Sequence, residues 1–169
     1  MDWLRFARAA RAVLTGKRRG AQEREGMKGH WRLELRGPDG ELKDVRDFEN
    51  LIVNAGFESA KNRLFDPATT EPVFGWIAIG SDATPAAAGQ TALLAELARG
   101  AVTYTDAGTA VCTIDRTFAA GVGTGTIVEV GAFNANAAGD MFNRATFAAI
   151  AKGAGDTLKA SCTITLSNA

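Results

Sequence analysis

Thr157-Leu158-Lys159-Ala160-Ser161-Cys162-Thr163-Ile164-Thr165-Leu166 puts Leu158, Ala160, Cys162, Ile164 and Leu166 on one side and Lys159, Ser161, Thr163 and Thr165 on the other. Period two is the spacing of a β-strand that covers a core on one face and meets water on the other. Upstream, Met141–Ile150, Gly125–Asn134, Thr109–Phe118 and Trp76–Ile79 are strand-like runs bounded by Gly, Asn, Asp or Pro. That punctuation separates strands rather than helices. The fold class expected is mainly β: an antiparallel, jelly-roll-like β-sandwich with an N-terminal amphipathic helix and one short internal helix.

Ahead of these strands, His30-Trp31-Arg32-Leu33-Glu34-Leu35-Arg36 alternates strictly, with Trp31, Leu33 and Leu35 on one face. Gly37-Pro38-Asp39-Gly40 is a turn signal, and Glu41–Phe48 continues as the partner strand of a hairpin. Residues 50–53 read as extended. Asn54 is placed to cap a helix over Ala55–Phe65, with Phe57, Ala60, Lys61 and Leu64 near one stripe. Asp66-Pro67 stops it. Ser81–Gln90 is a Pro/Ala/Gly loop. Thr91–Ala98 (Leu93, Leu94, Leu97) reads as one or two helical turns leading to a strand around Val102–Thr105. Gly121-Val122-Gly123-Thr124-Gly125 reads as a hairpin tip. No internal repeat of fixed period occurs.

The chain has 169 residues with 19 basic and 19 acidic side chains, and this balance conceals an asymmetry. Residues 1–28 hold eight Lys/Arg against Asp2, Glu23 and Glu25, a net +5; the remaining eleven basic against sixteen acidic residues leave −5. A basic arm on a mildly acidic body suits an acidic partner surface. Trp3, Leu4, Phe6, Ala7, Ala10, Val13 and Leu14 fall near helical spacing with Arg5, Arg8 and Arg11 interleaved. The pattern predicts an amphipathic helix about 20 Å long. It lacks the apolar run of a secretory signal and is too short and charged to span a bilayer. A mitochondrial presequence and a membrane-surface helix share the pattern; a helix docking on a partner subunit is the reading adopted. Gly16–Gly29, with its Lys17-Arg18-Arg19 cluster, reads as a flexible linker that holds this helix away from the body. Three basic residues without interleaved aromatics do not make a nucleic-acid site. The expected division is an anchoring arm and linker at 1–29 and a body at 30–169. A body of about 140 residues buries roughly two-thirds of its unfolded surface, enough for one core.

Reactive groups are sparse. His30, the one histidine, stands at the start of a strand, leaving a Ser or Cys nucleophile without a base. Cys112 and Cys162 are in phase with inward-facing neighbours and are expected to be buried; a disulfide between them is left open. Two cysteines and one histidine cannot build a tetrahedral zinc site. Asp106 with Asp115 is a nominal carboxylate pair, and Asp82 or Asp140 a nominal calcium ligand, but no cluster surrounds them. The glycine run does not open a helix after a strand and so does not form a phosphate loop. No catalytic residue, cofactor or metal is expected, and the chain is read as not an enzyme.

Several ordered motifs remain: "PDGEL" in the hairpin, then "NLIVNAGFESAKNRLF", "FGWIAIGSDATPAAAGQTALLAELARG", "GTIVEVGAFN" and a final "GDMFNRATFAAIAKGAGDTLKASCTITLS". Over residues 30–167 this order resembles a diffuse group of small tailed-bacteriophage virion proteins, described as tail-fibre-like, baseplate or head-decoration proteins. The group's "IAIG" strand leads through a "TP" loop to a Leu-x-x-Glu-x-x-Arg segment, here Leu93, Glu96 and Arg99. A later strand carries Glu129-Val130-Gly131-Ala132-Phe133. The resemblance implies a structural, often oligomeric virion component, with a trimer suggested by analogy with fibres and spikes. Its partners would be capsid, neck, portal or tail proteins, with no membrane and no nucleic acid. Its location would be the virion, assembled in the bacterial host cytoplasm. The residues expected to dock on a partner are Trp3, Leu4, Arg5, Phe6, Arg8, Arg11, Val13 and Leu14. Glu129, between Val128 and Val130, either points outward or sits in a strand covered on both faces; Arg99 or Arg144 is its expected cation. A carbohydrate-binding sandwich for host-surface glycans is the alternative, with Phe74, Trp76 and Tyr104 as candidate platforms.

Overall fold

The hairpin around Gly37–Gly40 is the first feature of the computed structural model, which describes residues 26–167. β1 (Met27–Arg36) and β2 (Leu42–Glu49) pair antiparallel. Gly40 takes a φ of 81°, and its N–H donates to the Gly37 carbonyl at 2.9 Å. That left-handed turn residue is why glycine stands there. Trp31, Leu33 and Leu35 are buried, as their alternation demands. β1 starts at Met27, however, so the last residues assigned to the linker are strand, with Met27–Gly29 opposite Leu166–Ile164. Gly29 is a packing glycine rather than a linker glycine: a Cβ there would lie 2.2 Å from Asn50 Oδ1. The helix expected over Trp3–Leu14 lies outside the described residues.

β10 (Thr157–Leu166) lies between β1 and β7 (Val111–Phe118), and β6 (Thr103–Asp106) pairs with β7 at the edge, giving the order β2-β1-β10-β7-β6. A second five-stranded sheet has the order β3 (Leu51–Ile52), β9 (Met141–Lys152), β8 (Gly125–Phe133), β4 (Trp76–Gly80), β5 (Glu96–Ala101). Every strand pair is antiparallel. One core is shared between the sheets, with Trp31, Leu33, Ile114, Phe118 and Leu158 from the first and Ile77, Ile79, Ile127, Val130 and Ile150 from the second. Each large side chain so buried contributes about 1.5–3 kcal/mol.

The glycine run 121–125 is not a hairpin tip, because β7 and β8 belong to different sheets. Gly121, Gly123 and Gly125 all have positive φ, and this backbone carries the chain across from one layer to the other. Val102 marks a similar crossing between β5 and β6.

The helix α1 (Asn54–Phe65) forms, but Asn54 does not cap it. Val53 is the N-cap with no side-chain cap bond, and the Asn54 N–H donates instead to the Ala88 carbonyl. The side of α1 turned to the protein is small and polar: Gly56 and Ser59 are its buried residues. A Cβ on Gly56 would lie 2.2 Å from the Phe142 carbonyl oxygen, so glycine lets the helix lie on β9. Phe57, Leu64 and Phe65 are left 51%, 69% and 79% exposed. The helical turns expected over Thr91–Ala98 do not form. Leu94 and Ala95 donate their N–H groups to the Glu129 carboxylate rather than to helical carbonyls, and Glu96 opens β5.

Candidate functional site

Val53, Ala78, Leu93, Phe133 and Met141 form a smaller cluster beside the main core. With it, β8 is covered on both faces: every residue from Ile127 to Phe133 is buried. Glu129, Arg144, Glu96 and Arg99 converge here. The register sets Gly80 opposite both Glu129 and Glu96, and Gly131 opposite Arg144. Directly opposed residues share a face of a sheet. Gly80 leaves room for the Glu129 carboxylate, and Gly131 for the backbone of the neighbouring strand. A Cβ on Gly80 would stand 2.4 Å from Glu129 Oε1, and one on Gly131 would meet the Asn143 carbonyl at 2.8 Å.

Glu129 and Arg144 are both fully buried, with Arg144 Nη2 2.8 Å and Nε 2.9 Å from Glu129 Oε2. The carboxylate also accepts N–H groups from Ala95 at 2.8 Å, Leu94 at 3.1 Å and Asp82 at 3.3 Å. The remaining guanidinium donors go to the Thr84 carbonyl at 2.8 Å and Gln90 Oε1 at 3.1 Å. A buried ion pair offsets its desolvation only when its other hydrogen-bonding positions are filled, and here residues of the 81–95 loop fill them. The pair fastens that loop to the sheet.

Arg99 is not the cation of Glu129. Between β4 and β5 the register slips, Ile79 facing Ala98 and Gly80 facing Glu96, so Leu97 is an extra residue. The bulge puts Glu96 and Arg99 on one face, where Arg99 Nη2 lies 2.6 Å from Glu96 Oε2. Arg99 also donates to the Ala135 and Ala138 carbonyls, each at 2.9 Å, and stacks 3.7 Å from the Phe133 ring centroid. It clamps the β8–β9 loop as Arg144 clamps the β4–β5 loop.

The residues weighed for chemistry do not come together. Asp115 faces Thr103 and Asp106 faces Cys112 across the β6–β7 ladder. An odd number of positions apart, the two carboxylates project to opposite faces. Asp115 is engaged by Ser161 and Lys159. Cys112 and Cys162 are free thiols. Burial pushes Cys162 up to about 12, a rise only partly countered by the Asn143 amide. Burial also raises Cys112. Neither presents a thiolate near neutral pH. Asp82 is held below the usual carboxylate range chiefly by its hydrogen bonds from Thr84. Asp140 meets a residue that sequence reasoning passed over: Glu71 and Asp140 both accept from Ser59 Oγ, at 3.2 and 3.0 Å, and Asn134 Nδ2 lies 3.0 Å from Asp140. Among the described residues, no three His, Cys, Asp or Glu side chains are grouped to hold a metal ion.

A second unanticipated charge site closes the β9–β10 turn. Lys152, buried, donates to the Asp156 and Ala119 carbonyls at 2.7 and 3.0 Å. Burial lowers its pKa against the pull of Asp156. The Asp156 carboxylate accepts the Gly153 N–H and Lys43, which hold it below the usual carboxylate range.

One concave feature among the described residues is mainly apolar. A groove of about 760 Å³ runs between α1 and the ends of β1, β3 and β10, lined by Met27, Leu51, Phe57, Leu64 and Leu166 with Asn50 among them. Comparison with protein-family models, with curated proteins and with solved structures finds no match to this chain.

Proposed function

We propose that this chain is a structural component of a tailed-phage virion, whether fibre, neck, baseplate or head decoration, that anchors through its N-terminal arm and assembles as a symmetric oligomer. The body is read as a β-sandwich, jelly-roll-like in that successive hairpins alternate between the two sheets. One observation carries the reading: the motif residues behind the resemblance are fastenings. Glu129 with Arg144 ties the 81–95 loop to the sheet, and Arg99, paired with Glu96, ties the 134–140 loop, with the polar atoms of Glu129, Arg144 and Arg99 reaching backbone partners in those loops. Motifs spent on holding loops rigid suit a part that must keep its shape in an assembly. The glycan-binding alternative has less support, because Phe74 packs on Phe142 and Trp76 on the smaller cluster, leaving Tyr104 as the exposed member of its three aromatics.

In this reading Trp3, Leu4, Phe6, Val13 and Leu14 bury against a capsid, neck or tail protein, and Arg5, Arg8 and Arg11 pair with its acidic surface. Aromatic anchors of this kind contribute a few kcal/mol each, and repetition around a symmetric particle adds avidity. The test is deletion of residues 1–16. The expected outcome is a folded body that no longer enters particles; normal incorporation refutes the anchoring role.

A further inference from the structure

The outward stripe of α1 is one wall of the groove. Phe57 and Leu64 are 51% and 69% exposed, and Leu51 and Leu166, on the opposite side, are 38% and 48% exposed. Scattered apolar residues on a surface are ordinary. These four line one concavity, and with them stands the Asn50 carboxamide, whose nitrogen and oxygen are both buried and without a partner. A buried amide unsatisfied at both ends is rare in folded proteins and calls for a cause.

We propose that the groove is the seat of this chain's own N-terminal stripe, with Trp3, Phe6, Ala10 and Val13 packing against Phe57, Leu64 and Leu166. Attachment selects this occupant first. Gly26, where the described chain begins, itself lines the groove. The stripe is therefore tethered at the rim by residues 16–25, a Gly-containing span of about 17 Å root-mean-square reach. A tether that short gives an effective concentration in the millimolar range, which an unlinked competitor must exceed. Charge does not select the occupant, because the lining carries Lys28 and Lys61 beside Glu49, and Glu58 is paired with Lys61. Hydrogen bonding supports the same occupant. An indole N–H that becomes buried needs an acceptor, and the unpartnered Asn50 carboxamide, packed over Gly29, would supply one for Trp3 by turning toward the groove it lines. The groove has room for several large side chains but not for a whole helix, so one face of the arm is buried and its arginines stay in water. This departs from the expectation of a helix held away from the body. The stripe has two alternative seats, the groove in the free chain and the partner in the assembly. The groove seat does not depend on the virion reading.

Hydrogen exchange read by mass spectrometry on the full chain tests this. Amides of residues 4–14 are expected to exchange about tenfold or more slowly than in a Phe57→Asp/Leu64→Asp variant. Trp3→Ser, made in the arm and not in the body, is expected to abolish the same protection while leaving exchange in the strands unchanged. The protection is expected to be independent of protein concentration. Fast exchange in the unsubstituted chain overturns the proposal, as does protection that survives both variants. Protection that grows with concentration alongside a doubled mass assigns the groove to a second copy's arm and overturns the intramolecular seat. None of these results bears on whether arm deletion blocks particle incorporation.

Discussion

Replacing Arg144 by Met tests the claim that buried charge is a fastening. The substitution removes the guanidinium whose Nε and Nη2 lie 2.9 and 2.8 Å from Glu129 Oε2 and leaves that carboxylate fully buried beside three backbone N–H groups. Breaking one side of a buried pair costs about 3–5 kcal/mol. At about 2–4 °C per kcal/mol this is a fall in Tm of roughly 6–20 °C. Against a total stability of about 5–15 kcal/mol it is a large fraction. The sharper test is the second substitution. Glu129→Gln in the Arg144→Met background keeps an acceptor oxygen for the Asp82 and Ala95 amides, loses the one for Leu94 and removes the uncompensated charge, so it should restore about 1–2 kcal/mol of what was lost. Alone, Glu129→Gln should destabilise, because it strands Arg144. Urea denaturation of the four proteins closes the cycle. Hydrogen exchange in residues 81–95 should accelerate in both single variants. A second substitution that lowers stability further, or an Arg144→Met cost below about 1 kcal/mol, the level of an exposed pair, refutes the reasoning.

Two further outcomes follow from packing and from charge. Gly56→Ala should destabilise by about 1–3 kcal/mol in urea denaturation, because its Cβ would lie 2.2 Å from the Phe142 carbonyl oxygen. Helix propensity alone predicts a gain of about 1 kcal/mol, so the sign of the change decides between them. For Asp156, the Gly153 N–H and Lys43 lower the folded pKa below the unfolded one. The stability it supplies is present above the ordinary value of about 3.9 and is lost as pH falls through the lower folded value. Asp156→Asn should therefore flatten the decline in stability below about pH 4; curves for the two proteins that run parallel would contradict the assignment.

Much of the strand layout can be read from the chain itself. Leu158, Ala160 and Cys162 are buried because period two in sequence is period two in space, and the same rule buries Trp31, Leu33 and Leu35. Local turn chemistry set the first hairpin, since Gly40 needs a backbone that other residues resist. Two local readings failed where a distant residue competed for the backbone. Thr91–Ala98 has helical spacing, yet the Leu94 and Ala95 amides go to a carboxylate 35 and 34 residues away. Asn54 has a capping side chain, yet its N–H is drawn to the Ala88 carbonyl and the helix begins one residue earlier, with Val53 at the N-cap. Glu71, Lys152 and Asp156 gave no signal because one partner of each, Ser59, Ala119 and Lys43, stands 12, 33 and 113 residues away and is brought near only by folding.

The amino-acid order alone therefore settled most of the strands and which residues of β1 and of the first half of β10 face the interior, since both depend on neighbours one to four positions apart. The tertiary structure decided which sheet each strand joined, sending β7 and β8 to different layers across the glycine run. It also selected Arg144 over Arg99 as the cation of Glu129 and turned the apolar stripe of α1 outward to wall a groove. Those outcomes depend on contacts between residues far apart in the chain, where a one-residue bulge at Leu97 or a missing Cβ at Gly56 changes which atoms can meet.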